Sequence, residues 1–276
     1  MLGKDQKIED LIINTLSNGP LETKELIVDI KEKRPQTTKQ AVYKSLRNLK
    51  KNEIIVKTKD EVALSSVWLK KLLAFIENTA RHYKTNKNPG SDFLSLKNGE
   101  KIVYWFKNFE ATDLFWAHAF DVLTDTTNNN QPIFIYNPHE WFLLARPESE
   151  VFLFESLRKN NRKLFLIAGN QDMLDIEAKK YFDNTITNYY ASAEKLFDQD
   201  NYYVNIFNDY LIEVWLDPKI SNLIDKFYKK TTSFNEAAKN ELLKIIRTKG
   251  RNKLVIYRNE RKAKKIKNIF KKVFIY

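Results

Sequence analysis

Cysteine is absent from the 276 residues, which removes disulfides, thiol catalysis and every thiolate metal site. Six glycines and seven prolines leave little material for long flexible linkers, and neither a G-x-G-x-x-G fingerprint nor a Walker phosphate loop occurs. The three histidines, His82, His118 and His139, are far apart and form no i, i+4 pair, so no zinc set is expected and no cofactor is implied. No apolar run approaches the ~18 residues of a membrane span. The opening "MLGKDQKIEDLI" lacks the long apolar core of a signal peptide. These absences lead to the expectation of a soluble, cytoplasmic protein with no membrane partner.

What is present is hydrophobic substance and uneven charge. Hydrophobic residues make up 43% and aromatics 13% of the chain, enough for real cores, and the length favours two compact units. The overall charge of +12 divides into +6 over residues 1–84, −8 over 85–218 and +14 over 219–276. Two basic regions flanking an acidic middle point to a polyanionic partner. General solubility in a lysine-rich composition is the alternative.

Residues 1–66 read as one domain. Ile8, Leu11, Ile12, Thr15 and Leu16 share a helical face that "SNGP" stops. A second helix is expected from Thr23 to Lys33, with Leu26, Ile27 and Ile30 inward and Pro35 beyond its end. The third begins at "TTKQ", with Thr37 as N-cap and Gln40 completing a capping box, and buries Val42, Leu46 and Leu49. Asn52 is expected to take the left-handed cap conformation. "IIVKTKDEVALSS" then alternates as two strands turning near Lys59-Asp60. Three helices followed by a hairpin are the order of a winged helix-turn-helix.

With the apolar stripe inward, the third helix displays Thr38, Lys39, Gln40, Tyr43, Lys44 and Arg47. Residues 35–59 carry seven basic groups against one acid, Glu53. In such a module the early helix residues meet base edges and later cations meet phosphates. Gln40 suits bidentate pairing with adenine, and Lys39 or Lys44 suits guanine or phosphate. Lys57 and Lys59 sit where a wing would touch the backbone or minor groove. The expected partner is double-stranded DNA; the same fold also serves as a protein-interaction module.

The stretch "TKQAVYKSLRNLKKNEIIVKT" resembles the winged-helix transcriptional regulators over about residues 5–66, through Val42, Leu46 and Leu49 before the hairpin. Glu53 departs from that pattern, which often has glycine there. Residues 67–92 follow as a connecting helix and linker. Trp68, Leu69, Leu72, Leu73, Ile76 and Ala80 form a broad stripe suited either to homodimerisation or to packing on the chain itself, and "TNKNPGSD" reads as a boundary.

Residues 93–276 alternate strand and helix patterns, so an α/β domain with a mainly parallel sheet is expected, making the whole chain α+β followed by α/β. Ligands of open α/β sheets bind beyond the carboxyl ends of the strands. His139, Asn170, Gln171 and Arg258 stand at such ends and are candidates for a small-molecule effector pocket; ordinary helix capping is the alternative.

A winged helix, a connecting helix and an α/β domain carrying "NYYVNIFNDYLIEVWLDP" look like sugar-responsive regulators of the TrmB type. That resemblance implies a phospholipase D-like second domain. The enzymatic relatives need two copies of His-x-Lys followed by Asp. Here only His82 is followed by "YK", and Pro89 stands where the Asp belongs. Glu110, Asp113 and Asp121 share one expected helix, near His118. Such carboxylates suit a two-metal site or a solvated acidic face. No catalytic residue and no metal ligand is assigned, and the chain is expected not to be an enzyme.

Finally, residues 244–272 hold 13 basic groups against Glu260, with Ile266, Ile269, Phe270 and Val273 as an apolar stripe. Arg261, Lys262 and Lys265 are candidate phosphate contacts or a charged exterior. The expected function is a dimeric, sequence-specific, effector-responsive transcriptional regulator. The alternatives are a DNA-processing enzyme of nuclease type tethered by the winged helix, and a DNA-binding replication or architectural factor with little sequence preference.

Overall fold

Helical periodicity and its breaks fix the first unit. In the computed structural model, which describes residues 7–83, 90, 92–169 and 171–274, the chain separates into two compact units, Met1–His82 and Tyr83–Tyr276. The first contains α1 (Ile8–Leu16), β1 (Leu21–Glu22), α2 (Thr23–Lys33), α3 (Lys39–Lys51), β2 (Ile55–Lys57), β3 (Glu61–Leu64) and α4 (Ser66–Tyr83). α1 ends before Gly19, whose φ of 135° is open to glycine at no steric cost. Ile12 and Leu16 of α1, Leu26 and Ile30 of α2, and Val42, Leu46 and Leu49 of α3 close a core over Ile55 and Val62. The strands form an antiparallel sheet in the order β1-β3-β2. Trp68 brings the start of α4 onto this core.

Two local expectations move by one residue. Thr38, not Thr37, is the N-cap of α3, its hydroxyl accepting from the Ala41 N–H at 3.2 Å, while Thr37 is buried. Asn52 stays at φ −88°, and the left-handed residue is Glu53 at φ 59°. Glu53 thus occupies with a side chain the conformation that glycine adopts freely.

The second unit contains β4 (Lys101–Asn108), α5 (Phe109–Thr126), β5 (Ile133–Asn137), α6 (Phe142–Ala145), α7 (Pro147–Lys159), β6 (Leu164–Ala168), α8 (Met173–Ala178), β7 (Thr187–Ala191), β8 (Tyr202–Phe207), β9 (Tyr210–Trp215), α9 (Pro218–Lys230), α10 (Glu236–Ile246), β10 (Lys249–Arg258) and α11 (Glu260–Val273). One seven-stranded sheet runs in the order β4-β10-β9-β8-β5-β6-β7.

The sheet is mixed, which corrects the expectation of a mainly parallel one. Only β5-β6 and β6-β7 pair in parallel; the other four pairings are antiparallel. The helical crossover from β4 through α5 to β5 does return the chain in the same direction. Three strands, however, come to lie between those two. The two-residue turn at Asn208-Asp209 forces β8 and β9 to be antiparallel, with Asn208 left-handed at φ 55°. β10 then returns between β9 and β4. β7, absent from the sequence reading, is a short edge strand of "TNYYA", too polar to stand out by pattern.

The two sheet faces are covered unequally. Helices α5 to α10 bury Ile135, Leu166, Tyr203, Ile212, Leu254 and their neighbours on one face. On the other, α11 seats Ala263, Ile266 and Phe270 against Phe134, Phe165, Val204 and Leu211. Among the described residues no helix is long and apolar enough to cross a membrane.

Candidate nucleic-acid interface and the buried polar cluster

The outward face of α3 follows from its inward one. Burying Val42, Ser45, Leu46 and Leu49 at helical spacing leaves Lys39, Gln40, Tyr43, Lys44 and Arg47 on the solvent side. Thr38 precedes them as the exposed cap. Among the described residues no carboxylate pairs with Lys39, Lys44, Arg47, Lys50 or Lys51. Their charges are therefore available to an external anion rather than spent within the fold.

The hairpin joins this face. Thr58 N donates to Glu61 O at 3.0 Å and closes the turn, and Lys59 is exposed at its tip. Asp60 O in that turn accepts from both the N–H and the hydroxyl of Thr23, at 2.8 and 2.9 Å, so the start of α2 holds the hairpin in place. Lys57 lies over the Tyr43 ring at 5.6 Å. The eight side chains proposed from sequence therefore form two neighbouring groups, one on α3 and one on the hairpin, linked by the Tyr43–Lys57 contact.

Of the residues expected to line a ligand pocket, His139 and Gln171 follow the same ends of the neighbouring parallel strands β5 and β6, whereas Arg258 lies at the opposite end of the sheet. Antiparallel pairing places Arg258 beside Tyr210, at the sheet end where β5 begins. His139 follows the opposite end of β5. Arg258 is engaged there by Asp209 at 2.7 Å and by the Leu96 carbonyl at 3.0 Å. Gln171 is exposed, left-handed at φ 49°, and donates to Ala191 O at 3.2 Å. Asn170 lies outside the described residues.

His139 instead belongs to a buried polar cluster that sequence spacing did not suggest. Its Nδ1 is 2.9 Å from Asp175 and 3.5 Å from Asp172, and its Nε2 is 3.6 Å from Asp225. The ring stacks on Tyr228 with centroids 4.3 Å apart. Burial raises the carboxyls of Asp172 and Asp175. Asp225, also desolvated, is held below its usual range by Lys229. His139, Asp172 and Asp175 offer three ligand atoms within 4.8 Å of one another, a donor set that could hold a divalent cation. The same geometry also serves as a hydrogen-bond network that ties the end of β5 to α8, Asp175 meeting both His139 Nδ1 and the Glu140 N–H.

Beside this cluster lies a cavity of about 160 Å³ with aromatic walls, among them Trp116, Phe120 and Phe142, and with Asn137 and Glu140 on its polar side. Asn137 Nδ2 donates to Glu140 at 2.7 Å, while Asn137 Oδ1, though buried, has no hydrogen-bond partner among the described residues. Burial, with Glu150 nearby, pushes the Glu140 carboxyl up to about 8. Glu150 is raised by burial as well, against the opposing charge of Arg146, which also pairs with Asp113 at 3.2 Å. Asp113, read from sequence as part of an acidic helix face, is thus tied to an arginine.

No protein-family model matches the chain, and no curated protein matches it. Among solved structures, TrmBL2, described as an archaeal chromatin protein that shows a novel mode of DNA binding, is similar over 98% of this chain and 93% of its own, at 14% identity and a TM-score of 0.35.

Proposed function

We propose that this protein binds double-stranded DNA through its first unit, acting as a non-enzymatic transcriptional regulator. In this reading the three helices and hairpin are a winged helix, α3 enters the major groove and the hairpin tip reaches the backbone. The observation that carries it is the α3 face: exposed cations without carboxylate partners, joined to the hairpin through Tyr43 and Lys57. Gln40 supplies base reading, and Lys39, Lys44 and Arg47 supply phosphate or guanine contact. The apolar stripe of α4, with Leu69, Leu73 and Ile76 exposed, supports a homodimer suited to two half-sites.

The cavity beside Glu140 is our proposed effector site. Its orphaned acceptor, Asn137 Oδ1, calls for a small molecule bearing hydrogen-bond donors.

Titration of duplexes from the protein's own upstream region against scrambled duplexes tests the reading. A regulator prefers its operator by ~10³-fold or more. Equal affinity for both would favour an architectural role. The composition of the face keeps that second reading in view, since one amide stands among many cations.

A further inference from the structure

On the face of the second sheet that carries α11, Val103 and Trp105 of β4 remain exposed. Beyond the helix, strand pairing sets Trp105 of β4 beside Lys253 of β10, and Lys253 beside Trp215 of β9. The three side chains form a row of indole, ammonium, indole. Lys253 Nζ is 5.9 Å from the Trp105 ring centre and 4.7 Å from that of Trp215, and the Arg251 guanidinium lies over Trp105 at 4.3 Å. Trp105 is 53% exposed, with exposed Val103 next to it on the same face. Lys101 and Lys107 project from the same side of β4. Among the described residues the side chains of Lys101, Lys107, Arg251 and Lys253 have no carboxylate partner, the Arg251 backbone N–H alone reaching Asp217 at 2.8 Å. On its other side Trp215 borders a groove of about 410 Å³, whose helical wall carries Lys265 and Lys262, the latter held by Glu213 in the groove floor at 2.6 Å, with Asp198 on the facing wall.

An exposed indole among unpaired cations favours a partner that has flat apolar groups and repeated negative charge together. Duplex DNA offers the charge but keeps its base faces stacked inside. Acidic peptides offer charge without regular planar groups. Single strands offer both, and aromatic platforms beside cationic grooves are how proteins hold them.

We propose that the Trp105–Lys253–Trp215 row, with Arg251 and the groove under α11, is a binding platform for single-stranded nucleic acid. A base stacks on Trp105 where Arg251 now lies, and Arg251, Lys253, Lys101 and Lys107 meet the phosphates. The platform belongs to the second unit and does not rest on the reading of the α3 face.

The test uses the full chain carrying Lys44→Glu and Arg47→Glu, so that the α3 face contributes little. Fluorescein-labelled oligo(dT) and oligo(U) are titrated, with polyphosphate as a probe that has charge and no bases. The oligonucleotides are expected to bind and polyphosphate to bind distinctly more weakly. The tighter oligonucleotide identifies DNA or RNA as the strand. Trp105→Ala should weaken the oligonucleotide complex by about tenfold and Trp105→Phe should retain most of it. Arg251→Glu with Lys253→Glu should flatten the salt dependence, each lost phosphate contact removing about 0.7 from the slope. Unchanged affinity in Trp105→Ala, or polyphosphate binding as tightly as the oligonucleotides, would overturn the proposal. So would a dimer that Trp105→Ala dissociates while oligonucleotide binding persists, which would make the row a contact between copies. Loss of duplex binding in the parent protein would count against the α3 reading alone and leave this result standing.

Discussion

Lys57 Nζ stands 5.6 Å from the centre of the Tyr43 ring, so the hairpin and the exposed face of α3 meet through one cation–π contact. Such a contact at an exposed site is worth about 0.5–1 kcal/mol, too little to hold the fold but enough to orient a lysine. Lys57→Glu should weaken duplex binding and reduce the slope of log affinity against log salt by roughly one. Tyr43→Ala should weaken it too, and the double variant should lose less than the sum of the two. Fluorescence anisotropy over a salt series measures all three; strict additivity would mean that Tyr43 does not position Lys57.

Glu53 holds φ 59° with its side chain exposed, and its ion pair with Lys71 spans 3.6 Å between two exposed groups. An exposed pair of that kind contributes little, whereas the left-handed backbone costs a non-glycine residue about 1 kcal/mol. Glu53→Gly relieves that cost of about 1 kcal/mol, and the added freedom of the unfolded chain takes back about 0.4–1 kcal/mol, so the first unit is expected to be unchanged to slightly stabilised. Denaturant unfolding checks this, and a destabilised variant would show that the side chain matters more than the backbone.

Both of these sites show what was legible in the sequence. Period and punctuation located α1, α2 and α3, because each buries one stripe and stops at a turn residue. The identity of the left-handed residue was displaced by one because Asn52 and Glu53 compete for the same cap, and composition favours Asn. Tertiary pairing was out of reach of local pattern. The row of Trp105, Lys253 and Trp215 joins residues far apart in sequence, and Arg258 lies at the wrong sheet end only because β10 inserts antiparallel beside β9. The cluster of His139 with Asp172, Asp175 and Asp225 likewise depends on α8 and α9 closing over the end of β5.

Glu140 makes stability depend on pH. Burial pushes its carboxyl up to about 8 from an ordinary 4.5, so the folded state holds the extra proton across that window. Stability from this group falls as pH rises from about 4.5 towards about 8, by an amount on the order of a few kcal/mol. Glu140→Gln removes the penalty and keeps an acceptor for Asn137. Thermal unfolding at pH 5 and pH 8.5 should show a smaller loss in the variant than in the parent. Equal losses would mean that the carboxyl ionises without penalty.

The stripe on α4 exposes Leu73 at 57%, with Leu69 and Ile76 one turn to either side. A homodimer through this helix predicts that Leu73→Lys shifts sedimentation towards the monomer and lowers the affinity for a two-half-site duplex, with the melting of the first unit little changed. A parent protein that sediments as a monomer at micromolar concentration would remove the basis for the dimer.

Duplex binding by α3 is tested by one titration. The full chain and its Lys44→Glu, Arg47→Glu variant are compared on an upstream duplex and a scrambled one, each across a salt series. Binding with a steep negative salt slope, preference for the upstream duplex, and loss of both in the variant are expected. Absence of duplex binding by the parent at low salt, or undiminished binding by the variant, would contradict it and make the basic face of α3 a solvated surface.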